Sequence, residues 1–123
     1  MIVMSIAGVD PSGGAGVFAD LKTFQAIGVY GTGIVTALTA QNPYKFFSTL
    51  PVSTDYIEEQ IDSVMDAYEV EFIKTGMLYS AEIIKLVARK ITEYDLKAVV
   101  DPVMVATSGG DLTGEDIADA FNL

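Results

Sequence analysis

The segment IAGVDPSGGAGVFADLKTF, residues 6–24, has the residue types and spacing of a ligand-binding loop. An apolar run leads through clustered glycines into an amphipathic stretch, and backbone N–H groups at such a helix start favour anions or other polar acceptors. Gly8 and Gly13 have the spacing of the phosphate-binding P-loop, but Gly14 and Ala15 occupy the positions of its Lys and Ser/Thr. The segment is therefore not a P-loop.

The glycines also match part of the dinucleotide-binding fingerprint. Gly14, Gly16 and Ala19 fit G-x-G-x-x-A. That fingerprint should follow its strand directly, whereas residues 9–13 intervene here, and the second strand ends in neutral Gln41 instead of a ribose-binding carboxylate. A dinucleotide-binding oxidoreductase is therefore only the third hypothesis for this chain.

An ordinary turn is the simplest alternative for residues 10–13. Their sequence, DPSG, places Asp first and Pro second, as type I turns favour. From spacing alone, a plain turn and a loop that binds a polar ligand fit equally well.

Composition limits the classes of function. The chain has 123 residues, with 7 Lys and Arg against 17 Asp and Glu, so its formal charge is 7 − 17 = −10. This balance argues against nucleic-acid and anionic-membrane partners, because both are bound mainly through Lys and Arg. The sequence has no Cys or His, which excludes thiolate nucleophiles, imidazole bases and Cys/His zinc sites within these residues. The opening MIVMSIAG lacks a signal-peptide pattern, so we expect a soluble, cytoplasmic protein.

Strand and helix patterns alternate along the chain. Apolar, β-branched runs predict strands covered on both faces at 2–7, 32–38, 70–75 and 97–101. Amphipathic patterns predict helices at 15–27 and 55–68, another capped by Ser80, and a fourth beginning near Thr113. Residues 42–53 are interrupted by Pro and predict a loop or short hairpin. This alternation predicts an α/β fold, a three-layer α/β/α arrangement with a mostly parallel sheet.

Several details of the helices can also be predicted. Val17, Leu21, Phe24 and Ile27 form one apolar stripe, and Gly28 is a natural helix stop. The second stripe comprises Ile57, Ile61, Val64, Met65 and Tyr68, and the third comprises Ile83, Ile84, Val87 and Ile91. Asp55 and Glu58 have the spacing of a capping pair.

Glycines and polar residues follow every predicted strand. The four strands lead into GVDPSGGAG, Gln41-Asn42, Gly76-Met77 and DPVMVATSGG. Open parallel sheets bind ligands beyond the carboxyl ends of their strands. We therefore expect the site at this edge of the sheet.

Four blocks of sequence resemble the N-terminal half of the hydroxymethylpyrimidine/phosphomethylpyrimidine kinases, which belong to the ribokinase-like superfamily. They are residues 6–24, YGTGIVTALTAQN (30–42), KTGML (74–78) and VVDPVMVATSG (99–109). The resemblance implies transfer of phosphate from ATP, with Mg²⁺, to 4-amino-5-hydroxymethyl-2-methylpyrimidine and then to its monophosphate. The first loop and helix would help to enclose the pyrimidine. Pyridoxal kinases share the fold and parts of the pattern, so pyridoxal/pyridoxine kinase remains the alternative.

The resemblance also implies roles for three residues around the ring. Gln41 would hydrogen-bond the pyrimidine edge, since a carboxamide both donates and accepts. Gly8 would let the backbone approach the ring, and Met77 would contact the ring face. The alternatives are a strand-end Gln satisfied by backbone for Gln41, and plain core packing for Met77.

Three carboxylates match the family pattern as well. Asp10 and Asp20 correspond to carboxylates of the substrate site. Asp101 corresponds to the acidic residue near Mg²⁺ and the ATP phosphates, where it would help to hold the cation indirectly. The alternatives are a solvated helix residue for Asp20 and an Asp-Pro turn for Asp101.

The chain departs from the family pattern in three ways. Residues 42–45, NPYK, replace the usual continuation after QN, and Thr107 replaces a Lys. The family's second half, with its anion hole, general base and adenine pocket, has no counterpart here. We therefore expect residues 1–123 to be the N-terminal part of a ribokinase-like kinase domain that does not catalyse alone. A non-catalytic α/β binding fragment is the rival hypothesis, and we expect self-association as a homo-oligomer or marginal stability.

Overall fold

A computed structural model of the chain describes residues 1–103. Strands and helices alternate in the order β1 (Ile2–Val9), α1 (Gly16–Ala26), β2 (Tyr30–Gln41), β3 (Phe46–Pro51), α2 (Thr54–Ala67), β4 (Val70–Thr75), α3 (Ala81–Glu93) and β5 (Lys97–Val100). Two sequence expectations, the helix near Thr113 and the effect of Thr107, lie outside the described residues. Within residues 1–103, no helix is long and apolar enough to cross a membrane.

The strands form one sheet in the order β3-β2-β1-β4-β5. Strand β1 pairs in parallel with β2 and β4, and β4 pairs in parallel with β5. Among the five strands of residues 1–103, only β3 runs antiparallel, against β2. The predicted α/β fold with a mostly parallel sheet is confirmed, and β1 lies at its buried centre.

Helices cover both faces of this sheet. On one face, α1 packs closely over β2 because Gly31 and Gly33 leave room for its side chains. A Cβ on Gly33 would lie 2.6 Å from Cγ1 of Val17, and one on Gly31 would lie 2.6 Å from Cδ2 of Phe24. On the other face, α2 and α3 bury the main core, whose members include Met4, Ile6, Ile34, Ile57, Ile61, Ile73, Ile83 and Val87. The predicted three-layer arrangement is confirmed.

The helix starts agree with the sequence in one case and differ in another. The Ser80 hydroxyl accepts a hydrogen bond from the Ile83 N–H at 3.2 Å, as predicted for a cap. For α2 the predicted pair of Asp55 and Glu58 is wrong, because Ser53 caps the helix. Glu58 instead forms ion pairs with Arg89 and Lys90 of α3.

The apolar stripes are buried or half-buried, except for the last residue of the first and second stripes. Ile27 lies beyond α1 and is exposed, because the chain turns away at Gly28, whose φ is 83°. Tyr68 likewise lies beyond α2, where its ring stacks on that of Tyr30 with centroids 5.7 Å apart. These two residues were wrongly predicted to belong to the stripes, since each helix ends before it reaches them.

Residues 42–53 form a hairpin, one of the two predicted options. The Asn42 N–H bonds to the Lys45 carbonyl at 2.9 Å, and the Asn42 Oδ1 accepts from the N–H groups of Tyr44 and Lys45. Strand β3 then returns along β2 as the sheet edge.

Strand β5 differs from its prediction. It ends at Val100, and all four of its residues are exposed; Val99 is 65% exposed. It was expected to be covered on both faces, but it is the outermost strand, and within residues 1–103 only β4 pairs with it.

A buried lysine joins α2 to α3. The Lys90 ammonium is within 2.8 Å of Asp62 and 3.2 Å of both Glu58 and Glu93, while its side chain is only 6% exposed. Burial alone would lower the pKa of Lys90, but hydrogen bonds to the three carboxylates outweigh it and raise the pKa. The Lys90 hydrogen bond likewise lowers the pKa of Asp62.

Candidate functional site

A cavity of about 490 Å³ opens at the carboxyl ends of the strands. It lies where the sequence predicted a site, because the residues that follow parallel strands meet at one edge. All six residues predicted from the sequence line it: Gly8, Asp10, Asp20, Gln41, Met77 and Asp101.

The first loop is built around Asp10. The Gly13 N–H bonds to the Asp10 carbonyl at 3.0 Å, so residues 10–13 form the turn that was one of the two alternatives. Both carboxylate oxygens are also engaged: Oδ1 accepts from the N–H and hydroxyl of Ser12, and Oδ2 accepts from the Gly14 N–H. Asp10 is buried and shapes the loop from within.

Gly16 folds the loop back onto the end of β1. It forms a bridge with Val9, and its φ of +64° lies in the left-handed region. A Cβ here would overlap the carbonyl oxygen of Gly8, a backbone atom that cannot move aside easily. Glycine is therefore required at this position for the loop to close over the strand.

Met77 packs directly on Gly8. A Cβ on Gly8 would overlap the Met77 Cε, so the absent side chain is what admits the thioether. Met77 is buried beside Ala37, and its carbonyl accepts the Thr36 hydroxyl at 2.6 Å. The residue therefore combines core packing, which was the alternative, with a place in the cavity wall.

Gln41 is held by a side chain and not by backbone. Its Nε2 donates to the Thr39 hydroxyl oxygen at 2.8 Å, and that hydroxyl donates to the Val9 carbonyl at 2.8 Å. Among the hydrogen bonds of residues 1–103, none involves the Gln41 Oε1. The relay through Thr39 thus fixes the carboxamide at the cavity and leaves an acceptor oxygen available.

Asp20 is not a solvated helix residue, which was its alternative. Its side chain is only 16% exposed, and Oδ2 accepts from the Ser5 hydroxyl at 2.6 Å and the Lys74 ammonium at 2.8 Å. Sequence reasoning missed Lys74 and Ser5. The available signal was a Lys in the apolar strand VEFIKT, because a charge on an inner strand needs a partner.

Asp101 follows β5 directly and is exposed at the cavity. The Val103 N–H bonds to the Asp101 carbonyl at 2.8 Å, so residues 101–103 form a tight Asp-Pro turn, which was the alternative for Asp101. In the described part of the chain, no group of three or more Cys, Asp or Glu could hold a metal by itself. Asp101 could thus supply one carboxylate to a cation.

Comparison with known proteins identifies the family. The family model for phosphomethylpyrimidine kinase matches residues 10–122. The chain is 45% identical to the hydroxymethylpyrimidine/phosphomethylpyrimidine kinase of Rhizobium meliloti (strain 1021), over 98% of this chain and 45% of that protein.

Two solved structures are also similar to this chain. The crystal structure of phosphomethylpyrimidine kinase from Clostridium difficile 630 matches with a TM-score of 0.89 at 40% identity, over 98% of this chain and 53% of that one. Bacillus subtilis pyridoxal kinase, solved as an ADP complex, matches with a TM-score of 0.83 at 40% identity, over 98% and 44%. The chain thus spans about half the length of these proteins. The likeness confirms the predicted ribokinase-like fold, and the chain belongs to the phosphomethylpyrimidine kinase family.

Proposed function

We propose that this chain forms the pyrimidine-binding half of a kinase in thiamine biosynthesis. The enzyme would transfer phosphate from ATP to 4-amino-5-hydroxymethyl-2-methylpyrimidine and then to its monophosphate. The observation that carries the proposal is the single cavity that gathers Gly8, Gln41, Met77 and Asp101 from the ends of different strands.

The cavity has the size and apolar surface for a small flat ring. Its volume of about 490 Å³ falls within the range of small-molecule sites. Gly8 presents bare backbone, and the Met77 thioether lies beside it as a polarisable contact for a heteroaromatic face. A substituted pyrimidine could therefore lie against these two residues.

Polar groups on the wall suit an aminopyrimidine. Gln41 and Asp20 each carry one oxygen that takes part in no hydrogen bond among residues 1–103, namely Oε1 and Oδ1. An exocyclic amine donates hydrogen bonds, and such oxygens accept them. Asp10 is less suited to a direct contact, because the loop already occupies both of its carboxylate oxygens.

ATP and Mg²⁺ are the cofactors of the proposed reaction. Mg²⁺ usually binds one or two carboxylates together with phosphate oxygens and water, so a lone Asp101 fits an indirect role. When bound, the cation neutralises the charge of the transferring phosphoryl group. We expect the general base and the adenine pocket to come from outside residues 1–123, so that these residues alone do not catalyse.

Calorimetric titration of the purified chain with the pyrimidine alcohol tests the site. Gln41→Ala should weaken binding about tenfold, the cost of losing one well-placed hydrogen bond. Gln25→Ala is the matched control, because Gln25 is exposed on α1 away from the cavity. Unchanged affinity in Gln41→Ala, or no binding by the unsubstituted chain, would contradict the proposal and favour an α/β fragment without a pyrimidine site.

Pyridoxal kinase activity is the second candidate, because the Bacillus subtilis pyridoxal kinase is also 40% identical with a TM-score of 0.83. Comparing kcat/KM for pyridoxal and for the pyrimidine alcohol in an ATP-dependent assay of the full-length kinase that contains these residues separates the two. Activity with pyridoxal but not with the pyrimidine alcohol would identify the enzyme as a pyridoxal kinase instead.

We also propose that the protein forms a homo-oligomer. Leu38 and Leu50 are register partners on β2 and β3, and both are exposed on this edge of the sheet. Exposed apolar side chains on an edge strand favour association. A monodisperse monomer in sedimentation velocity would contradict this.

A further inference from the structure

Three elements bring one partly buried polar cluster to the cavity wall. Ser5 comes from β1, Asp20 from α1 and Lys74 from β4. The Ser5 side chain is fully buried, while Asp20 and Lys74 are 16% and 30% exposed and line the cavity.

The sheet register sets the two donors side by side. Ser5 and Lys74 are opposite partners in the parallel pairing of β1 with β4. Partners in a strand pair project their side chains from the same face, here the face covered by α1. Asp20 on α1 therefore meets both donors at once.

Both donors converge on a single oxygen. Oδ2 of Asp20 accepts from the Ser5 hydroxyl at 2.6 Å and the Lys74 ammonium at 2.8 Å. No hydrogen bond within residues 1–103 uses Oδ1 or gives the Lys74 ammonium another acceptor. One carboxylate oxygen is thus fixed by two short bonds, and the other remains for a ligand.

Gly76 keeps the space beside the ammonium open. A Cβ at Gly76 would lie 3.2 Å from the Lys74 Nζ and 2.8 Å from the Ala7 Cβ. Because residue 76 has no side chain, the Lys74 side chain can extend to Asp20 without a clash.

We propose that Lys74 and Ser5 are positioning residues that hold Asp20 through Oδ2, so that Oδ1 accepts a hydrogen bond from the amino group of the ligand. The inference rests on the proposed function and deepens it, because it assigns recognition of the 4-amino group to this cluster. A carboxylate fixed in advance binds a donor more tightly than one that must be ordered on binding.

The test compares two ligands by calorimetric titration of the full chain. One is 4-amino-5-hydroxymethyl-2-methylpyrimidine, and the other is 5-hydroxymethyl-2-methylpyrimidine, which lacks only the amine. Lys74→Met should weaken binding of the amino ligand about tenfold and change binding of the other by less than about twofold. Lys74→Arg, which keeps the charge and donors, should recover part of the loss.

Two controls separate positioning from general damage. Lys85→Met removes the same charge from an exposed position on α3 and should leave both affinities unchanged. Ser5→Ala removes one hydroxyl and should weaken only the amino ligand, by a smaller factor, which keeps the test available if Lys74→Met fails to fold. In an Asp20→Asn background, Lys74→Met should add no further loss.

The outcomes distinguish this inference from the function on which it rests. If the unsubstituted chain binds neither ligand, the proposed function fails and the inference with it. If it binds the amino ligand but Lys74→Met binds equally well, or loses both ligands equally, only the positioning role is overturned. Selective loss of the amino ligand with partial recovery by arginine supports it.

Discussion

The thioether methyl of Met77 occupies the space that a Cβ on Gly8 would fill. This contact joins the end of β1 to the segment after β4, two parts of the chain nearly 70 residues apart in sequence. It makes the cavity wall at that point a bare backbone beside a flexible side chain. If the proposed function is correct, the pair would set how closely the pyrimidine ring can approach the sheet.

Gly8→Ala should push Met77 toward the cavity. We expect a loss of about 1–2 kcal/mol in the free energy of unfolding, since overpacking costs that order of energy, together with weaker binding of the pyrimidine alcohol. Urea unfolding and calorimetry measure the two effects. Adding Met77→Ala should relieve the overlap, so the double variant should lose less stability than the sum of the single variants. Simple additivity would show that the contact is unimportant.

Gly16→Ala should be the more damaging glycine substitution. Its Cβ would meet the Gly8 carbonyl, a backbone atom, and its φ of +64° is unfavourable for alanine. Gly28→Ala is the matched control, because φ there is +83° but no atom lies within 4 Å of the added Cβ. We expect about 1 kcal/mol of destabilisation for Gly28→Ala from backbone strain alone and at least about twice that for Gly16→Ala. If urea unfolding shows equal losses of free energy in the two variants, the overlap with the Gly8 carbonyl does not contribute.

The fold was largely predictable because its strands are continuous apolar runs. The predicted strand 70–75 has the observed bounds of β4, and the other three are located within a few residues. The errors in the apolar stripes lie at the helix ends: Ile27 and Tyr68 continue the helical spacing in the sequence, but the helices stop before them. A pattern of apolar spacing carries no information on where a helix ends unless a breaker such as Gly28 marks it.

The site was predictable only in part. The gathering of Gly8, Gln41 and Met77 at one edge follows from parallel topology and from the family resemblance. The ion pair of Lys74 with Asp20 joins residues 54 positions apart and depends on the register between β1 and β4. Register is set by the folded sheet, so local sequence could flag Lys74 as unusual but could not name its partner.

Acid should weaken the link between α2 and α3. The Lys90 hydrogen bond lowers the pKa of Asp62 in the folded state, so this carboxylate stabilises the fold above its unfolded pKa. That stability is lost as the pH falls through the lowered folded pKa. Asp62→Asn should cost roughly 0.5–1 kcal/mol at about pH 7, a modest value because solvent screens this half-exposed side chain, and almost nothing at about pH 2.

Asp66→Asn is the control for that measurement. Asp66 lies one turn further along α2, is exposed, and forms no ion pair among the described residues. Its substitution should change urea unfolding little at either pH. The same pH dependence in both variants would show that the Lys90 contact does not cause it.

Asn42 at the hairpin tip should help to fix the position of the neighbouring Gln41. The Asn42 Oδ1 accepts from the Tyr44 and Lys45 N–H groups at 2.8 and 2.9 Å, so Asn42→Ala frees both amides. We expect faster hydrogen exchange at these two amides and about 1 kcal/mol of destabilisation, since the turn loses its side-chain acceptor. Pyrimidine affinity should fall as well, because Gln41 precedes this turn at the cavity. Ser48→Ala, exposed on β3, is the control. Unchanged exchange at both amides would mean that the backbone alone holds the hairpin.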